Sequence, residues 1–125
     1  TDADAIYRSQ IAFYTRKFIL TQGAQPVELR ADGGFRKQYP VPPLPSEAGM
    51  GPVSTIGAGD NFNAGFVYGL LRHNITRDDI ERGFTEQQWD LLIASAQSFS
   101  ANVCQSLDNY VSEQFAKQKR KELAV

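Results

Sequence analysis

Residues 17–39 alternate short apolar runs with turn residues, which predicts strands joined by a hairpin. Residues 17–21 form an apolar run bounded by Gly23, as expected of a buried strand. Residues 27–31 alternate apolar and polar side chains, which is typical of a half-exposed strand. The turn signal at 32–34, Asp-Gly-Gly, predicts a hairpin in which residues 35–39 return as the next strand.

Helical periodicity precedes this region and returns after it. Residues 3–14 predict a helix that Asp2 or Asp4 could cap. Prolines at 40, 42, 43 and 45 predict an extended connection, which continues as a glycine-rich loop over 47–52. A second helix is predicted over 60–73, with its apolar face at Phe62, Phe66, Val67, Leu70 and Leu71.

Small residues and capping signals organise the second half. Gly65 and Gly69 cost helix propensity, so we expect them to allow close packing against a neighbouring element. Thr76 predicts the N-cap of a short helix over 77–82. Thr85 begins a capping box with the glutamine three residues later. It starts a long core helix whose apolar positions are Trp89, Leu92, Ile93, Ala96, Phe99, Val103 and Leu107.

Composition narrows the class of protein. The 125 residues are 42% hydrophobic and 22% charged, which predicts one soluble globular domain. The net charge of -1 argues against nonspecific binding to nucleic acid or anionic membranes. Cys104 is the only cysteine, so no intrachain disulfide can form, and we expect it to be a small core residue. The lone histidine, His73, predicts neither a zinc site nor a Ser-His-Asp triad. The basic tail over 112–125 predicts a solvated helix end, and a contact with phosphate is the alternative.

Targeting signals are not apparent in the sequence. The first residues have no basic segment followed by an apolar one, and no apolar run reaches membrane-spanning length. We therefore expect a cytoplasmic protein.

Residues 54–66 combine a flexible turn with a carboxylate where a predicted helix begins. They read Ser-Thr-Ile-Gly-Ala-Gly-Asp-Asn-Phe-Asn-Ala-Gly-Phe. Gly57 and Gly59 let the backbone turn without Cβ clashes, and the first N–H groups of a helix favour an anion. The stretch thus predicts an anion site beside Asp60, which could accept a proton from a hydroxyl during phosphoryl transfer. On spacing alone, an ordinary loop with Asp60 favouring the helix N-terminus is the alternative.

With its flanking residues, this stretch resembles the second signature of the ribokinase-like (PfkB) carbohydrate kinases. The resemblance implies an α/β fold, namely the C-terminal part of a three-layer α/β/α ribokinase-like fold. It implies that Asp60 is the catalytic base, and that the amides of Gly57, Ala58, Gly59 and Asp60 stabilise the developing negative charge. ATP would supply the phosphoryl group, and Mg²⁺ would come with the nucleotide.

The same resemblance implies nucleotide contacts elsewhere in the chain. In the family, the loop after the first of these strands lines the nucleotide phosphates, and Thr21 and Gly23 match its pattern. Pro26 replaces the second glycine of that loop and removes a backbone donor. Asn102 matches an asparagine that lies beside the nucleotide, and Gly59 is expected to contact it too. The alternatives are a glycine that only ends a strand at 23 and a solvent-facing polar residue at 102.

Two departures from the family concern a monovalent cation. Ser54 stands where the family usually has an acidic residue that helps to hold the cation. Residues 108–110 contain no glycine, whereas the family usually has one in the loop that closes the cation site. A monovalent cation stays open as a further cofactor, but both departures argue against a standard site for it. No metal ligand is assigned in this chain.

Members of this family are much longer, so we expect residues 1–125 to be the C-terminal nucleotide-binding part of a kinase without its N-terminal sugar-binding part and lid. The expected reaction is ATP-dependent phosphorylation of a sugar hydroxyl, as in a fructokinase or ribokinase, with the isolated piece inactive. The alternatives are a kinase of a nucleoside or a vitamin-like alcohol, and a non-catalytic nucleotide-binding or interaction fragment. The expected partners are the sugar and ATP or ADP, with no nucleic acid and no membrane. Because such a piece exposes apolar surface, we also expect a homo-oligomer.

Overall fold

The computed structural model describes residues 2–43 and 54–124. The chain divides into two compact units, Thr1–Val41 and Pro42–Val125, and each is described by itself. Residues 40–43 are neither helix nor strand, as their prolines predict. Pro45 and the loop predicted over 47–52 lie outside the described residues.

The first unit contains a three-stranded antiparallel sheet in the order β1-β2-β3. The strands are β1 (Lys17–Gln22), β2 (Gln25–Ala31) and β3 (Phe35–Tyr39), so the predicted hairpin is confirmed. Ile19 pairs with Leu29, and Leu29 pairs with Lys37. The first two strands extend further than predicted and leave only residues 23–24 between them. Pro26 lies where the β1-β2 register shifts. A proline is tolerated at such an irregularity because it has no N–H group to donate to the neighbouring strand.

Strand β2 is buried on both faces, so the prediction of a half-exposed strand is wrong. Val27, Leu29 and Ala31 are buried, and so are the polar residues between them, Glu28 and Arg30. The polar side chains tolerate burial because they satisfy one another: Arg30 Nη1 lies 3.1 Å from Glu28 Oε2. The alternating pattern could not show that partners would be supplied from neighbouring elements.

The principal outside partner of Arg30 comes from the N-terminal helix. Helix α1 (Ala3–Ile6) continues as a π-helical segment, Tyr7–Ile11, and ends there, so the predicted helix over 3–14 is too long. Asp2 is its N-cap and accepts a hydrogen bond from the Ala5 amide at 3.0 Å. Asp4 Oδ1 instead accepts a hydrogen bond from Arg30 Nε at 2.6 Å, and this bond holds the pKa of Asp4 below its ordinary value.

The second unit is helical, with α2 (Ala58–Arg72), α3 (Arg77–Arg82), α4 (Glu86–Val103) and α5 (Glu113–Leu123). Both predicted helix starts are confirmed. The capping box predicted at Thr85 forms with Gln88, and the N-cap predicted at Thr76 also forms a capping box, with Asp79. The most buried positions of α4 are those that its periodicity predicts, namely Trp89, Leu92, Ile93, Ala96 and Val103. Cys104 is buried directly after them, as expected.

Helix α2 packs against α4 through its glycines, which confirms the prediction of close approach. A Cβ built on Gly65 would lie 2.6 Å from the Ser95 carbonyl oxygen and 2.8 Å from Ala96 Cα. The predicted apolar face is confirmed in part, since Phe62 is buried and the ring of Phe66 lies 6.2 Å from that of Trp89, whereas Val67 and Leu71 are 54% and 63% exposed. Helix α4 likewise ends four residues before Leu107, which is 84% exposed rather than part of the core.

Helix α5 is attached to α2 and α4 by aromatic and polar contacts. The ring of Phe115 meets that of Phe99 edge-on, with centroids 5.0 Å apart. The Tyr68 hydroxyl donates a hydrogen bond to Glu122, and burial together with this bond raises the pKa of Tyr68 to about 12. Lys119 contacts Glu122 and the ring of Tyr68. The other basic residues of the tail, Lys117, Arg120 and Lys121, are exposed, as the solvated-end interpretation predicts.

We expect Gly65→Ala to destabilise the chain by about 1–3 kcal/mol, because the new methyl group meets backbone atoms that cannot rotate away. Gly69→Ala should cost less, since its Cβ would meet the ends of Leu92 and Ser95 side chains at 3.1–3.2 Å. Urea denaturation gives both values. Gly59→Ala is the matched control, because nothing lies within 4 Å of a Cβ there. Equal stability of the Gly65 and Gly59 variants would contradict the packing described.

Candidate active site

The N-terminus of α2 is built on a glycine in the left-handed conformation. Gly57 is the N-cap residue and has φ +83. Its neighbourhood leaves no space for a side chain, because a Cβ there would lie 2.7 Å from the carbonyl oxygen of Asn109. Both the dihedral angle and the contact therefore require glycine at this position. Asp60 follows three residues later, exposed in the first turn of the helix.

The first-turn amides are divided between internal bonds and the surface. The Ala58 amide donates to the Thr55 carbonyl oxygen at 3.2 Å, and the Asn61 amide donates to the Gly57 carbonyl oxygen at 3.0 Å. The amides of Gly59 and Asp60 lie between these two in the same turn, where a helix offers no internal acceptor. Among residues 2–43 and 54–124, no side chain caps this end. Of the four amides that the family resemblance implied for charge stabilisation, the Ala58 amide is thus engaged in closing the preceding turn.

The segment after α4 lies against this turn, which the sequence did not predict. The side-chain amide of Asn61 donates to the carbonyl oxygens of Gly57, at 2.9 Å, and Asn109, at 3.2 Å. The Ser54 amide donates to the Cys104 carbonyl oxygen at 3.3 Å. Periodicity cannot reveal such bonds, because their acceptors are backbone atoms that every residue carries.

Asn102 lies in the last turn of α4 and is partly exposed. Its Oδ1 accepts a hydrogen bond from the Ser112 amide at 2.8 Å. The side chain thus bridges the beginning and the end of the segment between α4 and α5. This bond is a local structural role that neither of the two sequence interpretations included.

Thr21 and Gly23 belong to the first unit. Thr21 is exposed in β1, and Gly23 has φ +62 in the two-residue turn between β1 and β2. A Cβ at Gly23 would meet nothing within 4 Å, so its conformation, not crowding, requires the glycine. Of the predicted site residues, Gly57, Ala58, Gly59 and Asp60 lie together in one turn, and Asn102 is linked to that turn through the segment after α4.

Residues 1–113 match the family described as pfkB family carbohydrate kinase. The chain belongs to this family. Its membership confirms the resemblance drawn from residues 54–66 and the α/β class. The pfkB match ends at the first residue of α5.

Two relatives of this pfkB chain come from Arabidopsis thaliana. It is 41% identical to "Adenosine kinase 2" over 70 residues, which cover 56% of the chain and 19% of the relative. It is 48% identical to "Adenosine kinase 1" over 58 residues, which cover 46% of the chain and 16% of the relative. The matched segments thus span less than a fifth of each relative's length. In the described parts of the chain, no helix has the length and apolar character needed to cross a membrane.

We expect Gly57→Ala to weaken nucleotide binding, because a methyl group at 2.7 Å from Asn109 O must displace the segment that lies on the turn. The measurement is the melting temperature with and without magnesium-ADP; a hundredfold excess over the dissociation constant stabilises a folded protein by about 2.7 kcal/mol. Gly59→Ala is the comparison variant: its methyl group meets no protein atom within 4 Å, so any effect on binding comes from contact with the ligand and not from strain in the protein. A ligand-induced rise in Gly57→Ala equal to that of the unmodified chain would contradict this expectation.

Proposed function

We propose that the protein carrying this chain transfers the γ-phosphoryl group of ATP to a hydroxyl group of a nucleoside. The observation that carries the proposal is the juxtaposition in one helical turn of the exposed Asp60 carboxylate and the side-chain-uncapped amides of Gly59 and Asp60. Membership of a kinase family supports the same reaction class. The chain would supply the base and part of the anion site, and the remaining contacts would come from residues that it does not contain.

The acceptor proposed here differs from the free sugar that the sequence first suggested. Both relatives named above are adenosine kinases, which supports a nucleoside acceptor over fructose or ribose. A nucleoside still presents a sugar hydroxyl, so the chemistry required of Asp60 is unchanged. A free-sugar acceptor is the second candidate, favoured by the description of the family as carbohydrate kinases.

The residues of the turn suit the phosphates of ATP and the negative charge that develops during phosphoryl transfer. The acceptor oxygen forms a bond to the γ-phosphorus while the bond to the ADP oxygen breaks, and the hydroxyl proton passes to the Asp60 carboxylate. The Gly59 and Asp60 amides, at the positive end of the dipole of the 15-residue α2, would face the negative charge on the phosphoryl oxygens. Magnesium bound with ATP would neutralise phosphate charge. Thr21, Gly23 and Asn102 stay proposals as nucleotide contacts.

A non-catalytic role is distinguished by the carboxylate. A protein that only binds a nucleotide would need the amides of the turn but not a base at position 60. That role would be supported if Asp60→Ala still binds magnesium-ADP and the complete protein shows no turnover. Turnover that depends on Asp60 would exclude it.

Asp60→Asn should lower kcat by about 10²-fold or more in the complete protein, because the amide cannot accept the hydroxyl proton. The affinity for magnesium-ADP should change little, since the backbone amides are retained. Steady-state kinetics and calorimetry measure the two quantities. Asp78→Asn is the matched control, because it removes an exposed carboxylate from the first turn of another helix, α3. A kcat for Asp60→Asn within twofold of the unmodified enzyme would overturn the assignment.

A panel of acceptors tests the substrate class. We expect the complete protein to phosphorylate adenosine with a kcat/KM at least a hundredfold above that for ribose or fructose, because a site shaped for a base discriminates against acceptors that lack it. Coupled detection of ADP release measures all three acceptors under one condition. Higher kcat/KM for a free sugar would replace the nucleoside by the second candidate while leaving the role of Asp60 intact.

A further inference from the structure

We infer that Asn61 is a positioning residue: its side-chain hydrogen bonds tie the segment after α4 to the Gly57 turn and thereby orient the Asp60 carboxylate for catalysis. The inference rests on the proposed function for its catalytic consequence. The tie itself is a feature of the fold and can be tested separately. Asn61 follows Asp60 directly, so any change in its backbone position is transmitted to the carboxylate.

The side-chain amide of Asn61 uses both of its hydrogens in this place. Nδ2 lies 2.9 Å from the Gly57 carbonyl oxygen and 3.2 Å from the Asn109 carbonyl oxygen. The backbone amide of Asn61 also donates to the Gly57 oxygen, at 3.0 Å. One residue therefore fixes the carbonyl that closes the first turn of α2 and, through the same nitrogen, the segment that packs on that turn.

The backbones of the turn and of the segment pack directly against each other. Gly57 has no room for a methyl group on the side of Asn109, whose backbone carbonyl oxygen would be 2.7 Å from it. The segment is also held at its two ends, by the Ser54 amide on the Cys104 carbonyl oxygen and by the Ser112 amide on Asn102 Oδ1. Asn61 contacts the segment between these ends, where the neighbouring residues 107–110 are exposed.

The chemistry of the contact selects a primary amide. Both acceptors are carbonyl oxygens, so the side chain must donate twice. Alanine would remove both hydrogen bonds. Aspartate has the same size but would place a carboxylate oxygen against two carbonyl oxygens, which is repulsive, so it should weaken the tie more than alanine does. A residue that merely favoured the start of the helix would show the opposite order, because aspartate is favourable in the first turn.

The test compares Asn61→Ala and Asn61→Asp with Asn63→Ala in the complete protein. Asn63 is an exposed asparagine on the same helix, so its variant controls for loss of an asparagine from α2. Hydrogen exchange of the 104–112 segment, followed by mass spectrometry, reports the tie without needing activity. Steady-state kinetics with adenosine and ATP report its consequence.

We expect hydrogen exchange in the 104–112 segment to be fastest in Asn61→Asp, slower in Asn61→Ala and slowest in the unmodified protein. Asn63→Ala should exchange at the rate of the unmodified protein. The expected loss of kcat follows the same order, about tenfold or more for alanine with KM values within threefold, since misplacement of a catalytic group lowers the rate more than the binding. Unchanged exchange in both Asn61 variants would overturn the tie. Faster exchange with unchanged kcat in an active enzyme would overturn the positioning role. If the unmodified protein has no kinase activity, the proposed function and the positioning role fail together, and the exchange data alone decide the tie.

Discussion

The contact between α2 and α4 is the constraint on which the rest of the helical unit depends. Gly65 brings the α2 backbone against the carbonyl of Ser95 and the Cα of Ala96, so at this point the two helices meet backbone to backbone. A contact between backbones leaves little freedom for one helix to slide on the other. It therefore fixes the N-terminus of α2 relative to the C-terminus of α4. The Gly57 turn and the segment after Cys104 meet because these two helix ends are held in place.

In each unit, a buried polar side chain is paired with a carboxylate. In the sheet, Arg30 is buried between Glu28 and Asp4, and its charge is matched by carboxylates from a strand and a helix. In the helical unit, Tyr68 is buried and donates to Glu122 of α5. The Arg30–Asp4 and Tyr68–Glu122 contacts join elements distant in sequence, so they specify the arrangement of elements as much as they stabilise it.

The sequence predicts the parts of the fold that depend on local chemistry. The helix N-caps at Thr76 and Thr85 and the turn at 32–34 were all predicted correctly, because each depends on a few adjacent residues. The buried state of β2 and the exposure of Leu107 were predicted wrongly, because both depend on partners remote in the sequence. At the candidate site, the structure places Asp60 and the two glycines of the motif in one turn at the start of α2. Asn61 was missed because its partners are carbonyl groups, which leave no trace in residue identity.

The proposed anion site has an evolutionary consequence, because its donors would be main-chain atoms. Any residue except proline at position 59 or 60 retains the N–H group that faces outward from the first turn of α2. A single substitution can remove the carboxylate, whereas the amides persist as long as the turn folds. Under the proposed function, descendants of such a chain could lose phosphoryl transfer and still bind a nucleotide, so ligand binding would outlast catalysis.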